Sequence, residues 1–430
     1  MKFTAAGDCL CQRRVPEDYE GFKEIRDFIL KGDARFFNLE TTVNYEGECY
    51  ACQHSGGTYV RCEPEVVEDV LEYGFNMTSF NNNHTMDFDR NGVEKTKEYV
   101  DALDIVNAGV GLNLHQASAP MYLETKNGRV ALIGVNALDN NALMAGEQSR
   151  RFPGRPGVNG IRLTTKIVVP QKAFDVVKEI GEKTLINGPR NVHRGEGYFP
   201  WPEEGTAELD EAATFVLGDD YGLITEANKA DMKRITDAIE EANLQADYVI
   251  VSIHGHLLVG NDKYNVPEVQ EQICRAFVDA GADAVIGHGP HLLRAIEVYK
   301  GKPIFYSLGD FLVQLYQVPA APEDFYRKYN MDSNSSVISL LAKRSQNFTI
   351  GLMEDPKMRE SVIPYWETDE NKNITKLTLM PITCALDKGK HLEGLPQPSE
   401  DLKFMEKLAE LCKPYGVNVK MEDGVAVCTW

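Results

Sequence analysis

Five of the nine histidines stand in three short stretches: His84 in NNNHTMD, His254 and His256 in HGH, and His288 and His291 in GHGPH. Asp8, Glu40, Asn83, Asp87 and Asp310 fall at comparable places, just beyond short apolar runs. Neutral imidazoles gathered with carboxylate and amide oxygens suit one or two divalent ions such as Mn, Zn, Fe or Co, with Ni also compatible, better than Ca or Mg. No thiolate set of the kind that closes a structural zinc site accompanies them. Two such ions ~3.5–4 Å apart lower the pKa of a water between them and clamp both the attacking and leaving oxygens of an ester or amide. His84, as a nearby non-ligand, is the candidate to protonate a leaving group or move protons. The competing reading is a network of buried, hydrogen-bonded side chains that holds no metal. Taken singly, each histidine favours that reading; their grouping favours the metal.

The elements that must position these residues follow a recurring pattern. Short apolar runs at Lys2–Ala6, Ala34–Phe37, Phe75–Phe80, Val130–Val135, Tyr248–Ile253, Ala284–Ile286 and Ile304–Leu308 alternate with helical spacing. This predicts βα units around a largely parallel sheet. Helices are expected over Pro64–Tyr73, Asp231–Ala242 and Pro267–Ala280, with Pro in the first turn of two of them and Gly just past the end. In open α/β sheets ligands bind beyond the carboxyl ends of the strands, where these polar residues lie. Residues 139–228 break the rhythm and read as an inserted cap. After about residue 318 the pattern changes to a surface loop (PAAPEDFYRKYNMDSNSS), two antiparallel strands (VIPYW and ITKLTLMPI) and an amphipathic helix over Ser399–Lys413. The expected organisation is a domain over 1–318 with the insertion at about 139–228, and a C-terminal α+β extension over 319–430 packing on it.

The chain has 430 residues, with 65 acidic against 45 basic side chains and a formal charge of −20, which argues against a nucleic-acid partner. Nine cysteines, an odd number in a long chain, do not form a disulfide framework and suit a reducing compartment. The N-terminus lacks an apolar signal-peptide core, and no stretch reaches the ~18 apolar residues of a spanning helix. A cytoplasmic location without an integral membrane segment is the expectation.

The stretches GDCLCQR, FFNLETTV, NNNHTMDFDRNGVEKT, VNAGVGLNLHQASAP, GRPGVNGIR, GADAVIGHGPHLLRAIEVYKGKPIFYSLGDF and LMPI, with KPYGV at the end of the last helix, occur in this order along nearly the whole chain. Together they resemble the bacterial capsule-synthesis CapA (poly-gamma-glutamate synthesis) family. The resemblance implies a calcineurin-like metallophosphatase fold, a layered α/β sandwich with mixed sheets. It also implies metal ligands at Asp8, Glu40, Asn83, His254, His288 and His291, and a catalytic pair at His84 and Asp87. Two positions depart from the pattern. Leu10 stands where the wider superfamily often has the histidine of Asp-x-His, and Asp310 stands where family members often have Asn.

His256, two residues after His254 in an extended segment, can face the same side and ligate, act on substrate or be structural. Arg155 is a candidate for bidentate recognition of a substrate carboxylate or phosphate, and Arg13, just past the first strand, is a second. Asp310 is grouped with them as a substrate-binding residue. Cys49-x-x-Cys52 with Cys62 lacks a fourth thiolate, and Gly109-Val110-Gly111 lacks the full dinucleotide fingerprint. Tyr198-Phe199-Pro200-Trp201 could line a cap or simply pin its loop. The expected activity is metal-dependent hydrolysis of a phosphoester or of a glutamyl or peptide-like amide. The rivals are a metal-assisted peptide epimerase and a non-catalytic accessory that binds a capsule polymer. The expected partner is accordingly a small molecule, a peptide or a glutamyl polymer.

Overall fold

The first apolar run extends beyond residue 6: Lys2–Leu10 is a single strand, buried along nearly its whole length, inside a ten-stranded mixed sheet. The computed structural model describes residues 1–386 and 389–430. On one side Lys2–Leu10 pairs in parallel with Ala34–Leu39, and the sheet continues in parallel through Met77–Ser79 to Val106–Ala108. On the other side it pairs antiparallel with Glu360–Thr368, followed by Ile374–Cys384, Val425–Thr429 and Asn418–Glu422. The C-terminal region is thus built into the same sheet as the N-terminal strand.

A seven-stranded sheet centres on Gly128–Ala137, Tyr248–His254 and Ala284–His288, all parallel, with Lys302–Phe305 beyond them. Phe3, Ala5, Phe36 and Met77 of the first sheet share one core with Val130, Leu132, Tyr248, Ile250, Ala284 and Ile286 of the second, so the two sheets pack face to face. Phe3 stacks on Tyr248 at 4.1 Å and on Trp366 at 5.2 Å between ring centres, and the Trp366 indole donates to the Tyr248 hydroxyl at 3.2 Å. The outer face of the ten-stranded sheet is covered by Phe22–Ile29, Pro64–Leu71 and Asp89–Asp101, whose Ile25, Phe28, Val67, Val70 and Val93 pack with Phe37 and Leu39. This two-sided covering is what parallel strands require. Glu268–Asp279 lies against Ala284–His288.

The expected loop at 319–336 contains a short helix, Glu323–Lys328. Acidic residues in its first turn and basic ones in its last complement the helix dipole, while Phe325 and Tyr326 are buried with Tyr59 and Leu340. The run Ile304–Leu308 is also divided: one strand ends at Phe305 and the next begins at Asp310. The chain forms two compact units, one of Met1–Ile161 with Ala230–Trp430, the other of Arg162–Lys229. The smaller unit begins later than the expected insertion. It holds a four-stranded sheet and the helices Gln171–Thr184 and Gly188–Gly195 around Val169, Phe174 and Ala207. Within it, Tyr198 and Trp201 are exposed, and the Arg190 and Arg194 guanidiniums sit over Phe199 and Trp201. Among the described residues no helix is long and apolar enough to cross a membrane.

Candidate metal centre

Parallel pairing brings the strand ends together. Asp8 is in register with Asn38 on one neighbour and with Asp310 on the other, and His254 is in register with both His288 and Asn136. Gly7 is needed just before Asp8, because a Cβ there would lie 1.8 Å from the Gly309 carbonyl oxygen. Gly289, with φ +118°, turns its N–H onto Asp8 Oδ2 at 2.8 Å, and Asn38 Nδ2 donates to Asp8 Oδ1 at 2.7 Å. Asp8 is thereby fixed from both sides.

Around it the imidazoles converge. His254 Nδ1 is 2.9 Å from His288 Nδ1, and these nitrogens lie 3.7 and 3.5 Å from Asp8 Oδ1. His254 Nε2 lies 3.6 Å from Glu40 Oε1 and 3.3 Å from His256 Nε2. His291 Nδ1 is 2.8 Å from Asp310 Oδ1 and 3.7 Å from Asp8 Oδ2, with its Nε2 3.8 Å from Glu40 Oε1. Donors ~2.1 Å from a shared ion stand roughly 3.0–3.4 Å from one another, so these separations are close to those of a coordination shell. Three groups can each offer three ligand atoms: Asp8, His254 and His288; Glu40, His254 and His256; and Asp8, His291 and Asp310.

The polar atoms left over fit a cation. Both carboxylate oxygens of Glu40, Oδ1 of Asn83 and Oδ2 of Asp310 are buried without a hydrogen-bond partner. Leaving such acceptors unsatisfied costs about 1–3 kcal/mol each, and more for a charge, so a bound divalent ion would resolve an otherwise unfavourable cluster. Asn83 donates its own Nδ2 to the Gly56 carbonyl at 3.0 Å, which frees Oδ1 for that purpose. The electrostatics agree. Burial pushes Asp8 up to about 7, and burial together with Asp8 and Asp310 holds Glu40 well above the usual carboxylate range. Burial also lowers His288 to about 3 and, with the neighbouring imidazoles, keeps His254 well below its usual value, so both are neutral and ready to ligate. His291 is the exception: burial opposes its protonation, yet the Asp310 carboxylate and Asp8 raise it. It also has a left-handed backbone, φ +58°, a conformation that costs free energy in a non-glycine residue and recurs at functional sites.

His84 and Asp87 form a pair, Nδ1 to Oδ2 2.7 Å, on the turn after Met77–Ser79. Asp310 lies buried against His291 rather than at an open surface. Arg13 and Arg155 are exposed, Arg13 on Gln317 and Arg155 on the Met144 carbonyl. Among the described residues neither has a hydrogen bond or ion pair to the centre. Leu10 points into a separate apolar cluster with Val313, Met353 and Cys384. All nine cysteines are free; Cys11 and Cys62 approach to 4.0 Å between sulfurs, and Cys49 and Cys52 are half-buried. Residues that sequence reasoning missed are Asn38, Asn82 and Ser252. Asn82 Oδ1 accepts from the His84 N–H at 3.1 Å, and the Ser252 hydroxyl meets His288 Nε2 at 2.7 Å. Ser252 precedes His254 by two and shares its strand face, a signal the period of two carries.

The fold and centre define an α/β protein of two facing mixed sheets with a buried carboxylate–histidine group at the strand ends that can hold a metal. The chain belongs to the bacterial capsule synthesis protein PGA_cap family, whose profile matches residues 2–315. It is 30% identical over 99% of its length to uncharacterized protein y4sH of Sinorhizobium fredii, covering 92% of that protein. It is 25% identical to capsule biosynthesis protein CapA of Bacillus anthracis over 73% of this chain and 59% of that one. A probable polyglutamine synthesis accessory protein of Mycobacterium tuberculosis is 25% identical over 65% of this chain and 55% of its own.

Proposed function

We propose that the protein is a metal-dependent hydrolase on a calcineurin-like metallophosphoesterase framework, acting on a phosphoester or on a glutamyl or peptide-like amide. The observation that carries this reading is the pair of unpartnered buried carboxylate oxygens of Glu40, one of them 3.6 Å from the Nε2 of His254, an imidazole that burial keeps neutral, in a cluster with Asp8 and His288. Two facing mixed sheets with the polar centre at the strand ends support the framework. Asp8, Glu40, Asn83, His254, His288 and His291 would hold one or two divalent ions, with Asp310 and His256 at the edge of the same shell. A bound ion would supply Lewis-acid activation of water and stabilise charge on the reacting oxygen. Asp87 fixes the His84 ring through Nδ1, leaving Nε2 to hold or deliver the proton a leaving group needs. The relatives' names, a capsule biosynthesis protein and a polyglutamine synthesis accessory protein, support a capsule-related polymer as the substrate.

The word accessory in the mycobacterial relative's name favours a second reading, a polymer-binding protein without turnover. A screen of aryl phosphoesters, γ-glutamyl amides and peptides, with Mn, Zn, Fe and Co added in turn, separates the two. The hydrolase reading expects turnover of at least one class, lost in His84→Ala with metal content retained. Absence of turnover throughout, with polymer binding indifferent to chelation, supports the accessory reading.

A further inference from the structure

Arg294 follows His291 by three residues and is fully buried. Its guanidinium donates to three neutral acceptors: the Lys263 carbonyl at 2.9 Å, the Leu257 carbonyl at 2.8 Å and Gln270 Oε1 at 2.8 Å. Burying a guanidinium on neutral partners alone is costly, and a core position does not call for it. Burial lowers this group to about 10. Two of its acceptors are the two ends of one segment, Leu257–Lys263, which leaves directly from His254 and His256. Between those fixed ends Leu258 is 57% and Val259 44% exposed, and a Cβ on Gly260 would meet nothing within 4 Å. The segment therefore has a fastened base and a free apolar tip at the margin of the metal centre.

Lys263 closes that base. Its side chain is exposed, and among the described residues its ammonium makes no ion pair or hydrogen bond. Asp355, whose carboxylate acts on it, is itself paired with Lys357 at 3.4 Å. The Lys263 carbonyl is held on Arg294, three residues after His291, so the base of the segment is tied to the stretch that carries a residue of the centre.

We propose that Leu257–Lys263 is a substrate-facing flap fastened by Arg294, and that Lys263 is its anion-recognition residue, taking a carboxylate or phosphate of a substrate seated at the metal centre. This rests on the metal-centre reading above. An ammonium is a point charge that accepts either anion without the planar match a guanidinium demands. Exposed Leu258 and Val259 on the same segment suit an aliphatic stem, so an anionic group on a short apolar chain, as in a γ-linked glutamyl unit, has the matching chemistry.

The test is calorimetric titration of the full-length, metal-loaded protein with inorganic phosphate and, separately, with γ-glutamyl-glutamate. Lys263→Ala is expected to weaken at least one probe by about threefold to tenfold, and Lys263→Arg to restore it, with metal content unchanged. Loss confined to phosphate assigns a phosphate subsite, and loss confined to the dipeptide assigns a carboxylate subsite. Arg294→Lys, which keeps the charge but not the three-way fork, is expected to speed amide exchange across 257–263 and weaken the same probe. Equal affinities of wild type and Lys263→Ala for both probes overturn the proposal, as does a wild-type protein that binds neither. If the wild type takes up no divalent metal, the metal-centre reading fails instead, and the same titrations on the metal-free protein still decide the role of Lys263.

Discussion

The carboxylate of Asp87 meets His84 Nδ1 at 2.7 Å and also accepts the backbone N–H groups of Gly56 at 2.8 Å and Val60 at 2.9 Å. One buried side chain therefore orients the imidazole and ties the 52–60 loop to it. Asp87→Asn should lower kcat/KM on whichever substrate class is turned over by about 10²–10⁴-fold, because the amide neither fixes the tautomer nor stabilises the imidazolium. Metal content should stay constant, since Asp87 is outside the ligand set. Parallel losses of metal and activity would place Asp87 among the ligands instead.

Gly56 lies flat against the same ring. A Cβ at that position would stand 2.7 Å from Asn83 Nδ2 and 2.8 Å from His84 Cδ2 and Cε1. Gly56→Ala should destabilise the protein by about 1–3 kcal/mol in urea unfolding and displace His84, reducing turnover more than metal content. Full activity in this variant would show that the loop does not set the ring's position.

Glu40 is fully buried with both carboxylate oxygens unpartnered. Replacing it by Gln removes a desolvated charge, so Glu40→Gln should raise the stability of the chelator-treated protein by about 1–3 kcal/mol while reducing metal uptake. A drop in metal-free stability would mean that Glu40 has a structural partner the centre does not reveal.

Trp366, with Phe3 and Tyr248, joins the C-terminal strands to both sheets. Trp366→Ala should cost about 3–5 kcal/mol, read as a lowered urea midpoint. A change below 1 kcal/mol would contradict the view that the C-terminal region shares the main core.

Much of this arrangement was legible in the sequence, because each strand end is marked by a polar residue after an apolar run. Parallel register sets Asp8 beside Asn38 and His254 beside His288, as the alternation of strands and helices already implies, and Glu40 follows directly after the strand that carries Asn38. What the sequence could not supply was partnership across distant segments. Asp310 is set by strand pairing beside Asp8 and meets His291, while Arg294, one more charged residue in a motif, is buried on the carbonyls of Leu257 and Lys263. Glu323–Lys328 was hidden because Pro, Asp and Asn around it read as loop, and only the burial of Phe325 and Tyr326 stabilises so short a helix.

The buried carboxylates and imidazoles at the strand ends are proposed to hold a transition metal. Elemental analysis of the purified protein and of its Asp8→Asn and His291→Ala variants tests this most directly. At least one transition metal per chain is expected in the wild type, with a clear reduction in each variant. Metal content unchanged in both variants, or no metal taken up by the wild type when Mn, Zn, Fe and Co are offered, would contradict it.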